Sequence, residues 1–343
     1  SVGGALPRVT AGIRERRSLW LRLTDSNGVA GWGEAAPLPG YSPDTLDECR
    51  RALDGLAWED FADTRATSHV AATLGALEGA LDARLPAARC AAETALLDLW
   101  SRRLGVPARR LLGASGAVRS LSLCPVLAAE GALGARAREL VNGGASCLKI
   151  KLGRGDFDRE LELLEELPRV SLRFDFNRAC PRETARDMLD RLARYEPEFV
   201  EEPVAPKDWE ALAGSRVPLA LDETLQELEL EEALSRAPRL PWRAAILKPM
   251  TLGGLTRCRA LSERARAAGL AVVVSHLFEG PVALNAYAEL ALSLEESPFS
   301  AGLMPHAALA AFPPAPLPGF ERASLVEAAR SRPGLQLPEA FGP

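Results

Sequence analysis

Hydrophobic and polar positions along the chain follow two periods. From about residue 118 onward, short apolar and β-branched runs recur: "SLSLCPVL", "CLKIK", "SLRFDFN", "EFVEEP", "LALDET", "AAILKP", "AVVVSH" and "SAGLMP". Each precedes a longer stretch of Ala, Leu, Arg and Glu whose apolar positions repeat at helical spacing. The runs end at Lys151, Asp175, Glu201, Asp222, Lys248 and Ser275, separated by 24, 26, 21, 26 and 27 residues, the step of one strand plus one helix. This pattern predicts an α/β fold with eight strands, a (β/α)-barrel over residues 111–310. Residues 1–110 read differently. "SLWLRLTDSNGVAGWGEAAP" is a strand pair around an "SNG" turn, and "SPDTLDECRRAL" and "PAARCAAETALLDLWSRRLG" are helices, with Ser42 or Asp44 as the expected cap of the first. An α+β unit is expected there, joined to the barrel by "LGVPARRLLG". The proline-rich residues 311–343 are expected to pack back on it.

Within "CLKIK", Leu148 and Ile150 share one face and Lys149 and Lys151 the other. On a solvated edge that arrangement is ordinary. Inside a barrel, two ammonium groups roughly 6 Å apart repel by about 2–3 kcal/mol at an effective dielectric near 20. The spacing acquires a purpose if the repulsion, together with partial desolvation, lowers a lysine pKa until the free amine can take a proton. Barrels of this class carry their working residues at the C-terminal strand ends, and every charged residue at a run's end stands there. Asp175, Glu201 and Asp222 come from three consecutive strands, and three converging carboxylates require a cation. Oxygen ligands without His or Cys suit a hard divalent ion, Mg²⁺ above all, with Mn²⁺ as a substitute. Any one of these acids alone is more often a helix cap or a solvated loop residue; the set at successive strand ends is what argues for a site. Lys248 faces the lysine pair from the opposite wall. Asn177 shares the direction of Asp175, and Glu202 and Glu223 are expected to point away on extended chain.

Composition narrows the partners. The 343 residues are 47% hydrophobic and 25% charged, with a formal net charge of -5 and no basic stripe, which argues against nucleic acid. No apolar run reaches the roughly 20 residues of a membrane span, and the first residues lack the apolar core of a secretory signal, so a cytoplasmic location is expected. The six cysteines are scattered singly and read as small buried residues. A small-molecule carboxylate is the expected substrate; oligomeric state is not legible.

"KIK", "DFN", "EEP", "DET" and "KP", in this order and spacing, resemble the enolase superfamily, in its muconate-lactonising subgroup. The amino-terminal "GWGEAAPLPGYSPDT" is similar to the o-succinylbenzoate synthases within it. The resemblance implies a modified (β/α)7β barrel under a capping domain and Mg²⁺ held by Asp175, Glu201 and Asp222. It also implies Lys151 as the base, Lys149 as its electrostatic partner and Lys248 as a cation on the other substrate face. The implied reaction is a dehydration forming 2-succinylbenzoate in menaquinone biosynthesis. Racemisation of N-succinylamino acids or dipeptide epimerisation on the same site, and a barrel that only binds, stay open. Arg173, two before Asp175, is expected to orient charged groups, with Ser275 and His276 lining the substrate. A lone histidine such as His276 is more often a hydrogen-bonded structural residue than a catalyst. Arg14, Arg16 and Arg17 are candidates for a second substrate carboxylate or simply a solvated run, Phe176 is expected in packing, and His69 and His306 carry no expected role.

Overall fold

The computed structural model describes residues 16–62, 67–114, 118–294, 297–312 and 317–337, and for 62–69 and 311 it describes no side chains. Arg14 and the side chain of His69 lie outside the described residues. The first unit contains β1 (Leu19–Thr24), β2 (Ala30–Ala35), α1 (Leu46–Asp54), α2 (Glu59–Ala62), α3 (Thr67–Ala80), α4 (Pro86–Arg103) and α5 (Ala108–Leu111). β1 and β2 form an antiparallel pair from Leu19↔Ala35 to Thr24↔Ala30. α4 is buried from Pro86 through Ser101 and lies directly on β2. The two glycines of "GWGE" allow this, since a Cβ on Gly33 would stand 1.9 Å from the Ala91 carbonyl oxygen and one on Gly31 2.3 Å from that of Ala95.

The expected cap of α1 is corrected. Thr45 caps it in a reciprocal box with Glu48. Ser42 instead accepts from the Leu38 amide at 2.8 Å, and Asp44 reaches across to accept from the Ala87 amide at 2.7 Å, in the first turn of α4. α4 begins at Pro86 with no side-chain cap of its own, so the Ala87 amide in its first turn is an unmet donor that Asp44 satisfies.

The second unit runs β3 (Ser120–Ser122), β4 (Val126–Ala128), α6 (Leu133–Asn142), β5 (Cys147–Lys151), α7 (Phe157–Leu164), β6 (Ser171–Asp175), α8 (Ala185–Leu192), β7 (Phe199–Glu201), β8 (Leu219–Leu221), α9 (Thr224–Glu227), α10 (Leu230–Arg236), β9 (Trp242–Leu247), α11 (Pro249–Leu252), α12 (Leu255–Ala267), β10 (Ala271–Val274) and α13 (Pro281–Ser293). Strands β4 to β10 form one seven-stranded parallel sheet in sequence order. The eighth position is not a full strand. Residues 301 and 302 bridge Leu123 on one side and Ser275 on the other, with Cys124 N to Ala301 O at 2.8 Å and Gly302 N to Val274 O at 2.9 Å. "SLSLCPVL" likewise divides at Pro125, which lacks an N–H. Its first half, β3, pairs antiparallel with β12 (Ser324–Val326), itself paired with β11 (Phe320–Glu321). The second half pairs with β5 in the parallel sheet, and the end of the first half meets the barrel only through the bridge to residue 301. The last described residues return to the first unit, where the Leu335 amide donates to Asp98 at 2.7 Å and Ala108 N to Gly334 O at 3.0 Å.

Buried carboxylates of the first unit also satisfy barrel helices. Glu34 accepts from the amides of Gly280 at 2.8 Å and Ala283 at 3.0 Å, at the start of α13, and Glu93 accepts from Thr256 N at 2.7 Å, at the start of α12. Each fills donors that a helix N-terminus leaves unmet. Arg16, expected as a substrate ligand or solvated charge, is 1% exposed, and its guanidinium donates to the carbonyls of Leu277 (3.2 Å), Pro37 (2.8 Å) and Ala36. It ties the segment before β1 to the loop after β10.

Candidate active site

The register that sets the barrel also sets the site. Lys151 pairs with Asp175 and Asp175 with Glu201 across β5, β6 and β7, so these three side chains enter the barrel mouth at one level. Asp222 follows β8 directly, Lys248 follows β9, and Ser275 follows β10. Inward-facing residues alternate with apolar ones such as Leu148, Ile150, Phe174 and Val200, which are fully buried.

The charges interlock. Lys149 Nζ lies 2.7 Å from Asp175 Oδ2 and also on Glu201 Oε2, and Lys151 Nζ lies 2.6 Å from both Asp175 Oδ2 and Asn177 Oδ1. Lys248 Nζ sits on Asp222 Oδ2 and donates to Tyr41 Oη at 2.7 Å. The carboxylates of Asp175, Glu201 and Asp222 are buried and offer oxygens within 4.8 Å of one another. Such a donor set, all carboxylate and with open sides, fits a hard divalent cation.

The two neighbouring lysines are not equivalent. Burial lowers Lys151, and the like charges of Lys149 and Lys248 add to it against Asp175, so Lys151 ends below its usual value. Burial also acts on Lys149, but the paired charges of Asp175 and Glu201 outweigh it and hold that ammonium above its usual value. Lys248 is held up in the same way by Asp222 and Glu223 against burial. Burial and the like charges of Asp175 and Asp222 push Glu201 up to about 7 despite Lys149.

Beside this cluster is a cavity of about 260 Å³ bordered by the three lysines, Ser275, His276 and Phe278, with Leu127, Leu140 and Met304 also lining it. Ser275 donates to Gly302 O at 3.3 Å. His276 is fully committed, with Nδ1 accepting from Phe278 N at 3.0 Å and Nε2 therefore protonated and donating to Met304 O at 3.0 Å. Burial pushes it down to about 4, so it is a neutral wall. His306 also borders the cavity, its ring 5.2 Å from that of His276.

Arg173 is not brought to this cavity. It shares the inward face of Asp175 but stands two residues, roughly 6.6 Å, deeper in the barrel. There it donates to Glu198 at 2.7 Å and Ser300 O at 2.8 Å, with its guanidinium 4.8 Å from the Phe199 ring centre. Asn177 does not border the cavity either; its Oδ1 takes Lys151 and its Nδ2 donates to Glu223 at 2.7 Å. Glu223 was expected to point away, but the chain leaves the strand at Asp222 and turns into α9, which returns Glu223 toward Asn177. Glu202 does turn away and accepts from the amides of Asp222 (2.8 Å) and Thr224 (2.9 Å), fixing the strand end that carries Asp222. Phe176 is 1% exposed and packs on Phe157.

Residues 132–337 match the enolase C-terminal domain-like family, and residues 9–113 match the N-terminal domain of mandelate racemase / muconate lactonizing enzyme. The chain belongs to the enolase superfamily. Among curated superfamily relatives, an o-succinylbenzoate synthase of Desulfotalea psychrophila is 28% identical over 313 residues, spanning 81% of this chain and 84% of its own. A hydrophobic dipeptide epimerase of Citrifermentans bemidjiense is also 28% identical, over 305 residues, spanning 82% and 79%. The solved muconate lactonizing enzyme of Pseudomonas putida superposes with a TM-score of 0.82 at 23% identity, covering 98% of this chain and 95% of that one, a likeness of fold.

One residue of this superfamily site was missed from the sequence. Tyr41 stands in the "PLPGYSP" loop of the first unit, brought inward by a turn at Gly40, whose φ of +77° suits glycine. Its hydroxyl meets Lys248, and its ring lies 4.9 Å from that ammonium. The available signal was its place directly after Pro39 and Gly40 in a loop expected to cover the barrel.

Proposed function

We propose that this enolase-superfamily chain is an o-succinylbenzoate synthase, dehydrating 2-succinyl-6-hydroxy-2,4-cyclohexadiene-1-carboxylate to 2-succinylbenzoate in menaquinone biosynthesis. The observation that carries the reading is the position of Lys151 and Lys248 around one cavity beside three buried carboxylates, with Lys151 lowered where Lys149 and Lys248 are raised. The synthase relative supports the choice of reaction.

Asp175, Glu201 and Asp222 would hold Mg²⁺, or Mn²⁺ in its place, which when bound withdraws charge from a substrate carboxylate and acidifies the neighbouring C–H. Lys151, as the free amine, takes the proton α to that carboxylate onto Nζ, while Asn177 Oδ1 fixes the direction of Nζ. The same Nζ then returns its proton to the departing hydroxyl, the C–O bond breaks, and water leaves as the ring becomes aromatic. Lys149 stays protonated and keeps Lys151 low through repulsion. Lys248 remains an ammonium on the opposite side and stabilises the negative charge that develops on the substrate. Ser275, His276 and Phe278 shape the wall against which the ring rests, with water excluded.

Lys248 as a second proton carrier favours another reading, epimerisation of a dipeptide or racemisation of an N-succinylamino acid, which the epimerase relative also supports. The deciding experiment offers the cyclohexadiene substrate and, separately, N-succinylamino acid enantiomers and dipeptides in D₂O. The dehydratase reading expects turnover of the first and little α-proton exchange in the others. Rapid racemisation or epimerisation without dehydration would reverse the choice.

A further inference from the structure

Two of the cysteines that look solitary in the sequence are neighbours in the barrel floor. Cys124 Sγ lies 3.1 Å from Cys147 Sγ, and both residues are buried, at 4% and 1% exposure. Register explains the meeting. Val126 pairs with Lys149 across β4 and β5, and Lys149 N donates to Pro125 O at 3.0 Å, so two residues earlier Cys124 and Cys147 stand side by side, facing inward. Adjacent strands run about 4.8 Å apart. That spacing falls inside the range of roughly 4.4–6.8 Å between Cα atoms that a disulfide tolerates.

The surroundings distinguish the two sulfurs. Cys124 borders the cavity beside Lys149, whereas Cys147 sits behind it with its sulfur 3.6 Å from Glu198 Oε2. Glu198 is held in turn by Arg173, whose buried Nη2 has no hydrogen-bond partner. Burial opposes ionisation of Cys124, but the contact with Cys147 and the charges of Arg173 and Lys149 outweigh it, and Cys124 lies below the usual thiol value. The contact with Cys124, and then burial, raise Cys147, which keeps its proton. Position thus separates the roles: the Cys124 sulfur borders the cavity, where an oxidant can reach it, and the Cys147 sulfur stands behind it, placed to resolve.

We propose that Cys124 and Cys147 form a peroxide-reactive dithiol that closes to a disulfide between β4 and β5 beneath the catalytic lysines. The Cys124 thiolate attacks one oxygen of hydrogen peroxide; an S–O bond forms, the O–O bond breaks, and hydroxide leaves to be protonated to water. The resulting sulfenic acid is attacked by the Cys147 sulfur. An S–S bond forms, the S–O bond breaks, and the departing hydroxide carries off the Cys147 proton as a second water. Two electrons pass from the sulfurs to the peroxide. Dithiothreitol reverses the change.

The test treats the full chain, purified reduced, with hydrogen peroxide, quenches in acid with N-ethylmaleimide, and combines an alkylation count with peptide mapping. The expected result is a fall from six alkylatable cysteines to four, one cross-linked species joining the Cys124 and Cys147 peptides, and recovery of six after dithiothreitol. Cys124→Ala and Cys147→Ala each abolish that species, while Cys90→Ala and Cys258→Ala leave it intact. The wild-type map stands alone if a variant fails to fold. The proposal is overturned if the map joins Cys90 to Cys258 instead, if Cys124 passes to sulfinic acid without a cross-link, or if both thiols remain alkylatable after peroxide treatment that oxidises free cysteine.

Discussion

The seam between the first unit and the barrel and the open mouth of the barrel both bury carboxylates, and they neutralise them by different means. At the seam, Glu34 and Glu93 take backbone N–H groups at the starts of α13 and α12. Those donors are fixed by the helices they belong to. At the mouth, Glu201 is met by a lysine and Asp222 by a lysine and a tyrosine, and among the described residues only Asp175 receives a backbone donor, Asn177 N at 2.9 Å. Side chains can move aside for a cation or substrate where backbone cannot. Buried charge met by backbone is architecture; buried charge met by lysine is exchangeable, and chemistry becomes possible.

The difference can be broken most completely at the mouth. Removing divalent ions with a chelator should abolish turnover, with Mg²⁺ or Mn²⁺ restoring it, while the unfolding transition of the first unit stays in place. Full turnover in excess chelator, with metal content measured as nil, would show that the lysines alone neutralise a working site. Next in size, Lys151→Ala should cost about 10²–10⁴-fold in kcat, the range for general acid–base catalysis, with an unchanged circular dichroism spectrum. A tenfold loss or less would remove Lys151 from proton transfer.

Changes at the seam should act on stability instead. Gly33→Ala puts a methyl against the Ala91 carbonyl, so α4 must lift from β2, at about 3 kcal/mol by the scale of overpacked cores. Glu34→Ala leaves two amides at the start of α13 unmet and should cost about 2 kcal/mol in urea unfolding. In both variants kcat per folded molecule should hold within a few-fold; a collapse of kcat without loss of stability would erase the distinction between the regions.

The smallest expected effect is in pH dependence. Burial, against hydrogen bonds from Thr256, pushes Glu93 up to about 7, above the ordinary carboxyl value it regains on unfolding. The folded state therefore binds the extra proton, and this contribution is complete below pH about 4.5 and lost as pH rises through about 7. Urea midpoints measured from about pH 4.5 to about pH 7.5 should fall more steeply for the wild type than for Glu93→Gln. Parallel profiles would mean that the Thr256 amide already compensates the charge.

Much of the mouth was legible because strand periodicity is strict. Lys151, Asp175, Glu201, Asp222, Lys248 and Ser275 each fall within one residue of an observed strand end. What periodicity does not carry is depth. Arg173 has the right face but the wrong layer, and nothing in "SLRFD" separates the two. Nor does it carry partners across the chain. Asp44 looked local and caps a helix 43 residues on, while Arg16 looked solvated and is consumed by carbonyls 20, 21 and 261 residues away. The cysteine pair was readable in principle, since Cys124 and Cys147 are 23 residues apart, close to the strand-to-strand step of the barrel. Counting cysteines by proximity in sequence hid it. The split of "SLSLCPVL" is signalled by Pro125 and by the change from the alternating Ser120–Leu123 to the apolar Val126 and Leu127.

The seam carries one consequence for the order of assembly. Glu34 is made 246 residues before the Gly280 amide it will accept, and Glu93 163 before that of Thr256. Long loops must close before these contacts reward the closure, so they form late in folding. During synthesis the emerging first unit holds its carboxylates in water, where a charge costs little, and desolvates them only when α12 and α13 arrive. A ribosome-bound chain ending before α11 should therefore leave uncovered the side of α4 that meets α11 and α12, and this side is the one a chaperone would have to shield until the barrel is complete.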